Sequence, residues 1–379
     1  MAFIYKKPGK KGKGVIILSH KEFFLFHHHA NLRNIKEKLK YYFLTKYVAL
    51  IKQKLYGKYL DLLKEKYLIG VHWGWHFEDL SKNVYVDFHL ASKGTLTLQQ
   101  SNKTPILNFA SVNFLPDCYD ARFPKTREFD VISIARDVEF KGLDIFIRAV
   151  SPLLNSGKIK NVCLIVPEGL DQAGKKESLN LRILIDCLVD RSKLNSFHYI
   201  RISGSGGFLG VNREFTSFLL RKAKVFCLFS KKEGVAKVIN EAQLCGCNVV
   251  TYKNLVGGGL DFVDEKFFFP FAHKNEAPNA IINALNSPLR SYDSLADLRK
   301  RLLQKHTIKD LDQELDRIFG RVLSDHPSNP DDRNLSKAFP NHDSQNAVPW
   351  MDYFRQKFYT SDLKDINDMK NFVDYVSSI

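Results

Sequence analysis

Apolar runs of strand length alternate with segments of helical period along most of this 379-residue chain. In the first third, GVIILSH (14–20), YLIGVHW (67–73), NVYVDFH (83–89) and TPILNFA (104–110) predict four strands, with helix over most of 31–66. Farther on, NVCLIVPEG (161–169), VFCLFS (225–230) and CNVVTY (247–252) are further strand-length apolar runs. Helices are predicted at 142–156, 177–192, 212–222, 235–245, 276–286 and 294–319. Such alternation specifies an α/β protein whose second part is a doubly wound sheet. Residues 326–349 are polar and proline-bearing, a linker or surface loop, and 350–379 return to a helical pattern. The predicted domains are therefore 1–124, 125–320, and a linker with helical tail over 321–379.

The segment SKKEGVAKVINEAQLCGCNVVTY places two carboxylates, Glu233 and Glu241, between two buried strands. Val235, Val238, Ile239, Ala242 and Cys245 recur at helical spacing, and Gly246 stands where a helix C-cap belongs. A strand, a loop with Glu233 and Gly234, a helix and a second strand make a βαβ unit. Its loop falls at the carboxyl edge of a parallel sheet, where ligands bind. The helix start offers free N–H groups to a phosphate, and Gly234 permits close approach. A carboxylate repels phosphate, so beside such a pocket it is suited to hydroxyl groups. A ligand with both diphosphate and sugar answers both demands.

Alone, two glutamates eight positions apart are a weak pattern that any charged helix can produce. Here they follow DVISIARDVEFKG, with Arg136, Lys141 and Gly142, and they precede the glycine loop LVGGGLDFV (255–263). LPDCYDARFP (115–124) comes earlier still. In order and spacing, residues 115–265 resemble retaining GT-B glycosyltransferases of the "group 1" class, glycosyltransferase family 4. Ala135 stands where that family has glycine, and Asp117 and Cys118 replace its Asn and Gly.

The resemblance implies two Rossmann-like domains facing a cleft, the N-terminal one shortened, and a C-terminal helix of the kind that crosses back to it. It implies transfer of a sugar from a UDP- or GDP-linked donor to a glycan or lipid-linked glycan, with retention, and neither metal nor cofactor. The catalytic residues would be Glu233, Arg136, Lys141 and His72. Arg136 and Lys141 would neutralise the leaving diphosphate, and Glu233 would hold hydroxyls of the transferred sugar. Donor binding would involve Glu241 on the ribose, the backbone of Gly234, Val235, Ala236 and Lys237, and the glycines Gly206, Gly207 and Gly258. A structural histidine is the plainer reading of His72 and His76, and a flexible turn that of SGSGG.

Charge changes the picture in the first domain. The formal net charge is +16, and residues 1–70 hold most of it. Leu32, Ile35, Leu39, Tyr42, Phe43 and Val48 run beside Arg33, Lys36, Lys38, Lys40, Lys46 and Lys52. That composition fits an interfacial helix on an anionic membrane or an amphipathic helix with a solvated basic face. No aromatic-rich basic module points to nucleic acid. Six scattered cysteines read as reduced thiols, with Cys163, Cys187 and Cys227 in apolar surroundings, and a cytoplasmic protein peripheral at the inner membrane face is expected. The run His27 to His29, the pair Cys245 and Cys247, and Asp310-Leu311-Asp312 lack the spacing of a metal site. A GT-B-shaped scaffold without catalysis is the alternative, favoured by the short first domain and the three motif departures; a nucleic-acid-binding protein is the more distant one.

Overall fold

The computed structural model describes residues 2–19, 60–72, 85–91, 104–109, 115, 118–120, 126–167, 181–202, 213–304, 308–325 and 360–361. Two compact units result: one of Met1–Ala110, His306–Asn334 and Trp350–Ile379, the other of Ser111–Lys305 and Leu335–Pro349. Within the described residues, no helix is long and apolar enough to cross a membrane.

The first unit is built on a six-stranded sheet: Thr360–Ser361, β1 (Ala2–Lys6), β2 (Gly14–Ser19), β3 (Tyr67–His72), β4 (Phe88–Ala91) and β5 (Ile106–Asn108), in that order. β1 is antiparallel to both neighbours, whereas β2 to β5 run parallel. Val15, Ile16, Ile17 and Leu18 are consecutive and all fully buried, so β2 is covered on both faces, as parallel strands require. At the centre Gly70 lies opposite Phe88; a Cβ there would come within 2.3 Å of the Phe88 ring. That ring packs on Phe319 at 5.9 Å between centroids.

Three sequence expectations change here. Residues 294–319 are not one helix of the second domain: they hold helix Tyr292–Gln304 and helix Ile308–Phe319. The latter belongs to the first unit, burying Leu311 and Leu315 and accepting the Tyr5 hydroxyl on Asp312 at 2.8 Å. Asp312 is therefore a partner of β1. At the C-terminus, Thr360–Ser361 is extended and pairs with β1, where a helical tail was expected.

In the second unit the strands are β6 (Phe129–Ile134), β7 (Val162–Pro167), β8 (Phe197–Ile202), β9 (Ala223–Leu228), β10 (Lys232–Val235), β11 (Asn248–Tyr252), β12 (Val256–Gly258) and β13 (Phe268–Phe271). The helices are α1 (Leu143–Asn155), α2 (Leu181–Leu188), α3 (Arg213–Arg221), α4 (Lys237–Leu244), α5 (Ala277–Asn286) and α6 (Tyr292–Gln304). Six strands form one all-parallel sheet in the order β13-β11-β9-β6-β7-β8. Helices α1, α2 and α5 pack together, as do α3, α4 and α6, so two helical layers form. Phe146, Ile147, Val150, Leu153 and Leu154 give α1 the apolar stripe that faces the core.

Gly246 ends α4 as its sequence position predicts: at φ 83° it lets Cys247 N–H reach the Ala242 carbonyl at 3.0 Å, a Schellman closure. Close by, one Arg127 guanidinium nitrogen reaches the carbonyls of Leu220, Arg221, Ala223 and Cys245 at 2.5–3.3 Å. A fixed positive charge thereby satisfies the orphan carbonyls where α3 and α4 end. Cys163, Cys227, Cys245 and Cys247 are buried free thiols, but Cys187 is exposed on α2, contrary to its expected place in the core.

His89 on β4 is 1% exposed, and burial holds its pKa down at about 4. Since the folded value lies below the ordinary 6.5, the unfolded chain takes up the proton first on acidification. Stability from this group is complete above pH 6.5 and is lost as pH falls towards 4, by about 3 kcal/mol in all. Thermal melts across that window should show the loss in the wild type and a flatter profile in His89→Asn; equal slopes would reject the assignment.

Candidate functional site

The strand order fixes where a ligand can enter. From β6 the chain winds outward through β7 and β8, then returns to β9 on the other side of β6 and winds outward through β11 and β13. Loops leaving β6 and β9 diverge at that reversal and leave a crevice beyond the carboxyl ends of the two strands. Arg136 and Lys141 follow β6; Ser230 and Glu233 follow β9.

The β6 loop is fixed by its backbone. Val138 N–H donates to the Arg136 carbonyl and Lys141 N–H to the Val138 carbonyl, both at 2.9 Å. Gly142 then enters α1 at φ 64°, and a Cβ on it would lie 2.4 Å from the Phe229 carbonyl oxygen. Only glycine meets both demands. Lys231 N–H donates to the Phe140 carbonyl at 2.8 Å, joining the two loops directly.

Across this junction the Lys141 ammonium contacts Glu233 Oε1 at 2.5 Å, with the side chains 11% and 10% exposed. Arg136 is half-buried; burial lowers its pKa, while the Glu233 carboxylate opposes that shift and so lies within its electrostatic reach. Lys141 and Lys232 also approach the Phe140 ring, at 5.4 and 5.5 Å from its centroid. One carboxylate thus faces two cations at the strand ends.

Glu233 does not sit on a loop, as its spacing suggested, but on the short strand β10. β10 pairs in parallel with β12, placing Glu233 opposite Gly257 and Val235 opposite Gly258. α4 begins only at Lys237. The Ala236 N–H, expected to face a phosphate, donates instead to the Gly258 carbonyl at 2.9 Å. Gly259, at φ 114°, leaves no space for a side chain, since a Cβ would be 2.6 Å from Ala236 N.

One turn into α4, Glu241 is buried and pairs with Lys237 at 3.1 Å. Its charge reaches Cys118 and Tyr119: burial, with Glu214 and Glu241 adding to it, pushes the Cys118 thiol up to about 11, and burial foremost raises Tyr119. Each glutamate is therefore matched with its own lysine.

Arg136, Lys141, Glu233, Gly234, Val235, Ala236, Lys237, Glu241 and Gly258 thus lie in the second unit, around the loops after β6 and β9 and the start of α4. His72 ends β3 in the first unit. Gly206, Gly207, His76, Asp117 and the histidines 27–29 lie outside the described residues. No group of three or more His, Cys, Asp or Glu that could hold a metal occurs among the described residues. Two neighbours escaped the sequence reading. Ser230 and Asn240 are fully buried, and the Ser230 hydroxyl and both Asn240 amide atoms have no hydrogen-bond partner among the described residues. The signal was a small polar residue directly after a buried apolar one, Ser230 after Phe229 and Asn240 after Ile239.

No family model and no curated protein sequence matches the chain. By shape it is similar to a UDP-forming α,α-trehalose-phosphate synthase from Burkholderia xenovorans solved with glucose-6-phosphate: 13% identity, 84% of this chain, 90% of that one, TM-score 0.51. The synthase from Burkholderia multivorans gives 14% identity, 70% of each chain and a TM-score of 0.50. TarM matches at 13% identity over 66% of this chain with a TM-score of 0.47, and the chain spans 50% of TarM's length. The fold is α/β of the GT-B class.

A buried ion pair predicts a coupled response. Lys141→Met or Glu233→Gln alone strands a partner and should cost about 3 kcal/mol in denaturant unfolding. The double variant should lose clearly less than the two losses added together; strict additivity would show that the contact contributes nothing.

Proposed function

We propose that the chain is a retaining glycosyltransferase of the group 1 class, moving a sugar from a UDP- or GDP-linked donor to a glycan or lipid-linked glycan. The observation that carries this reading is the cluster of Arg136, Lys141 and Glu233 at the reversal between β6 and β9, with Lys237 and Glu241 on the adjoining helix. Two fold neighbours with TM-scores of at least 0.50 are trehalose-phosphate synthases, one of them UDP-forming, so UDP is the first donor nucleotide to test.

Chemically the arrangement suits a leaving diphosphate. As the bond from the anomeric carbon to the phosphate oxygen breaks, charge gathers on the diphosphate, and the Arg136 guanidinium with the Lys141 ammonium stabilises it. The acceptor oxygen bonds to the same face of the anomeric carbon and gives its proton to the departing phosphate. Glu233 keeps acceptor positions beyond its bond to Lys141 and can take hydroxyls of the transferred sugar. Glu241, beside the start of α4, takes the ribose hydroxyls. These cations supply the charge neutralisation, so the reading assigns no metal to the step. His72 on the first unit would face the reacting sugar, and Gly206 and Gly207 would border the base. The basic residues of 31–56 would hold a cytoplasmic protein at the inner membrane face.

Titration with UDP and GDP tests the binding arm: Glu241→Ala should weaken the preferred nucleotide by about tenfold or more, the loss of paired hydroxyl contacts. Arg136→Ala should reduce transfer or donor hydrolysis by about a hundredfold or more with little change in melting temperature. Wild-type turnover in Arg136→Ala would refute its role. Tight nucleotide binding by the wild type without any turnover would instead favour the non-catalytic scaffold.

A further inference from the structure

The β1–β2 hairpin reads PGKKGKG (8–14), and its glycines are structural. Gly9 N–H donates to the Gly12 carbonyl at 3.0 Å, closing the turn. A Cβ on Gly12 would be 2.4 Å from the Leu323 carbonyl oxygen, so the hairpin lies flat on the turn that follows helix Ile308–Phe319, where Lys13 and Leu323 form an isolated bridge. Lys13 N–H donates to the Val322 carbonyl at 2.7 Å, and Ser324 N–H to the Lys13 carbonyl at 2.9 Å. The Lys13 ammonium donates to the Lys64 carbonyl at the end of helical residues 60–66, and one helix end is thereby satisfied.

This fixed hairpin walls a concavity of about 740 Å³ lined by Lys10, Lys11, Lys13, Lys66, Arg321 and Glu65, with Pro8, Gly9, Gly12 and Val322. Five cations face one carboxylate in the lining, and Asp325 lies outside it, beside Gly9. Lys10, Lys11, Lys66 and Arg321 are exposed. Like charges gathered in one hollow raise its potential and are relieved by an anion. Its place matters as well: the lining immediately precedes β2 and β3, at the amino edge of that parallel pair. Doubly wound sheets bind their principal ligand at the carboxyl edge, so this hollow is a separate feature of the first unit.

We propose that this hollow binds clustered phosphate groups, from either a soluble polyphosphorylated anion or an anionic lipid headgroup. Two or more phosphates are required, because the cations are spread over the hairpin, the end of helical residues 60–66 and the turn after helix Ile308–Phe319. The proposal goes beyond the glycosyltransferase reading and does not depend on it.

The test uses the full chain, with tripolyphosphate in calorimetry and vesicles of phosphatidylcholine with and without phosphatidylglycerol in flotation. Lys10→Gln/Lys11→Gln/Arg321→Gln removes three exposed charges. Lys158→Gln/Lys160→Gln/Arg191→Gln removes three exposed charges elsewhere, on the second unit. The first variant should weaken tripolyphosphate by about tenfold or more, and salt should weaken wild-type binding steeply. The control should match the wild type. Loss of flotation on phosphatidylglycerol vesicles in the first variant alone assigns the phosphates to a membrane; a tripolyphosphate effect without flotation assigns them to a soluble anion. No binding of either probe by the wild type, or equal losses in both variants, would overturn the proposal. UDP affinity measured in the same variants separates this outcome from failure of the proposed enzymatic function.

Discussion

An ammonium and a carboxylate in contact at 2.5 Å, each about one-tenth exposed, give up most of their hydration, and their attraction repays that loss only where the geometry is held firmly. The Lys141–Glu233 contact meets that condition because neither side chain hangs from a free loop. Lys141 lies between a hydrogen-bonded turn and Gly142, whose approach to Phe229 tolerates no side chain. Glu233 is set in register against Gly257 by the β10–β12 pair. Distort either support and the charges separate, each buried without its partner. The loops after β6 and β9 therefore act as one frame.

That frame exists because of strand order. β6 and β9 are hydrogen-bonded neighbours, yet β7 and β8 intervene in sequence, so the two loops leave the same sheet edge in opposite directions. Parallel strands buried on both faces make this edge rigid: Val131, Ile132, Val225, Phe226 and Cys227 are all fully buried. Stiffness in the sheet becomes positional accuracy in Arg136, Lys141 and Glu233, which lie within seven residues of its strand ends. Binding groups on rigid supports lose little freedom when a ligand arrives.

Much of this was legible because it is local. The apolar runs ending at Pro167, Leu228 and Tyr252 are strands, and Gly246 closes a helix, since each signal is contained within a few residues. What could not be read depends on distant partners. β10 is KEGV and β12 is VGG, neither with a strand's apolar pattern; each is extended because the other satisfies its backbone. Helix Ile308–Phe319 joins the first unit through Tyr5 and Phe88, hundreds of positions earlier in the chain. Thr360–Ser361 is a strand only because β1 offers it an edge. The two glutamates were visible as a motif, whereas their separate lysine partners, one across the sheet and one a helical turn away, needed coordinates.

The two charged regions differ in a way that bears on selectivity. At the carboxyl edge of the second unit, Lys141 and Lys237 each contact a carboxylate, so each donor there stands beside an acceptor. A ligand must present anionic and hydroxyl groups in matching order to gain from such a surface, and one with the wrong order leaves a buried charge unmet. At the amino edge of the first unit, five cations line the hollow with a single carboxylate among them. An excess of one sign attracts any sufficiently dense anion and reads little of its stereochemistry. Paired charges of this kind favour discrimination among ligands, whereas a surplus of one sign contributes attraction but little choice.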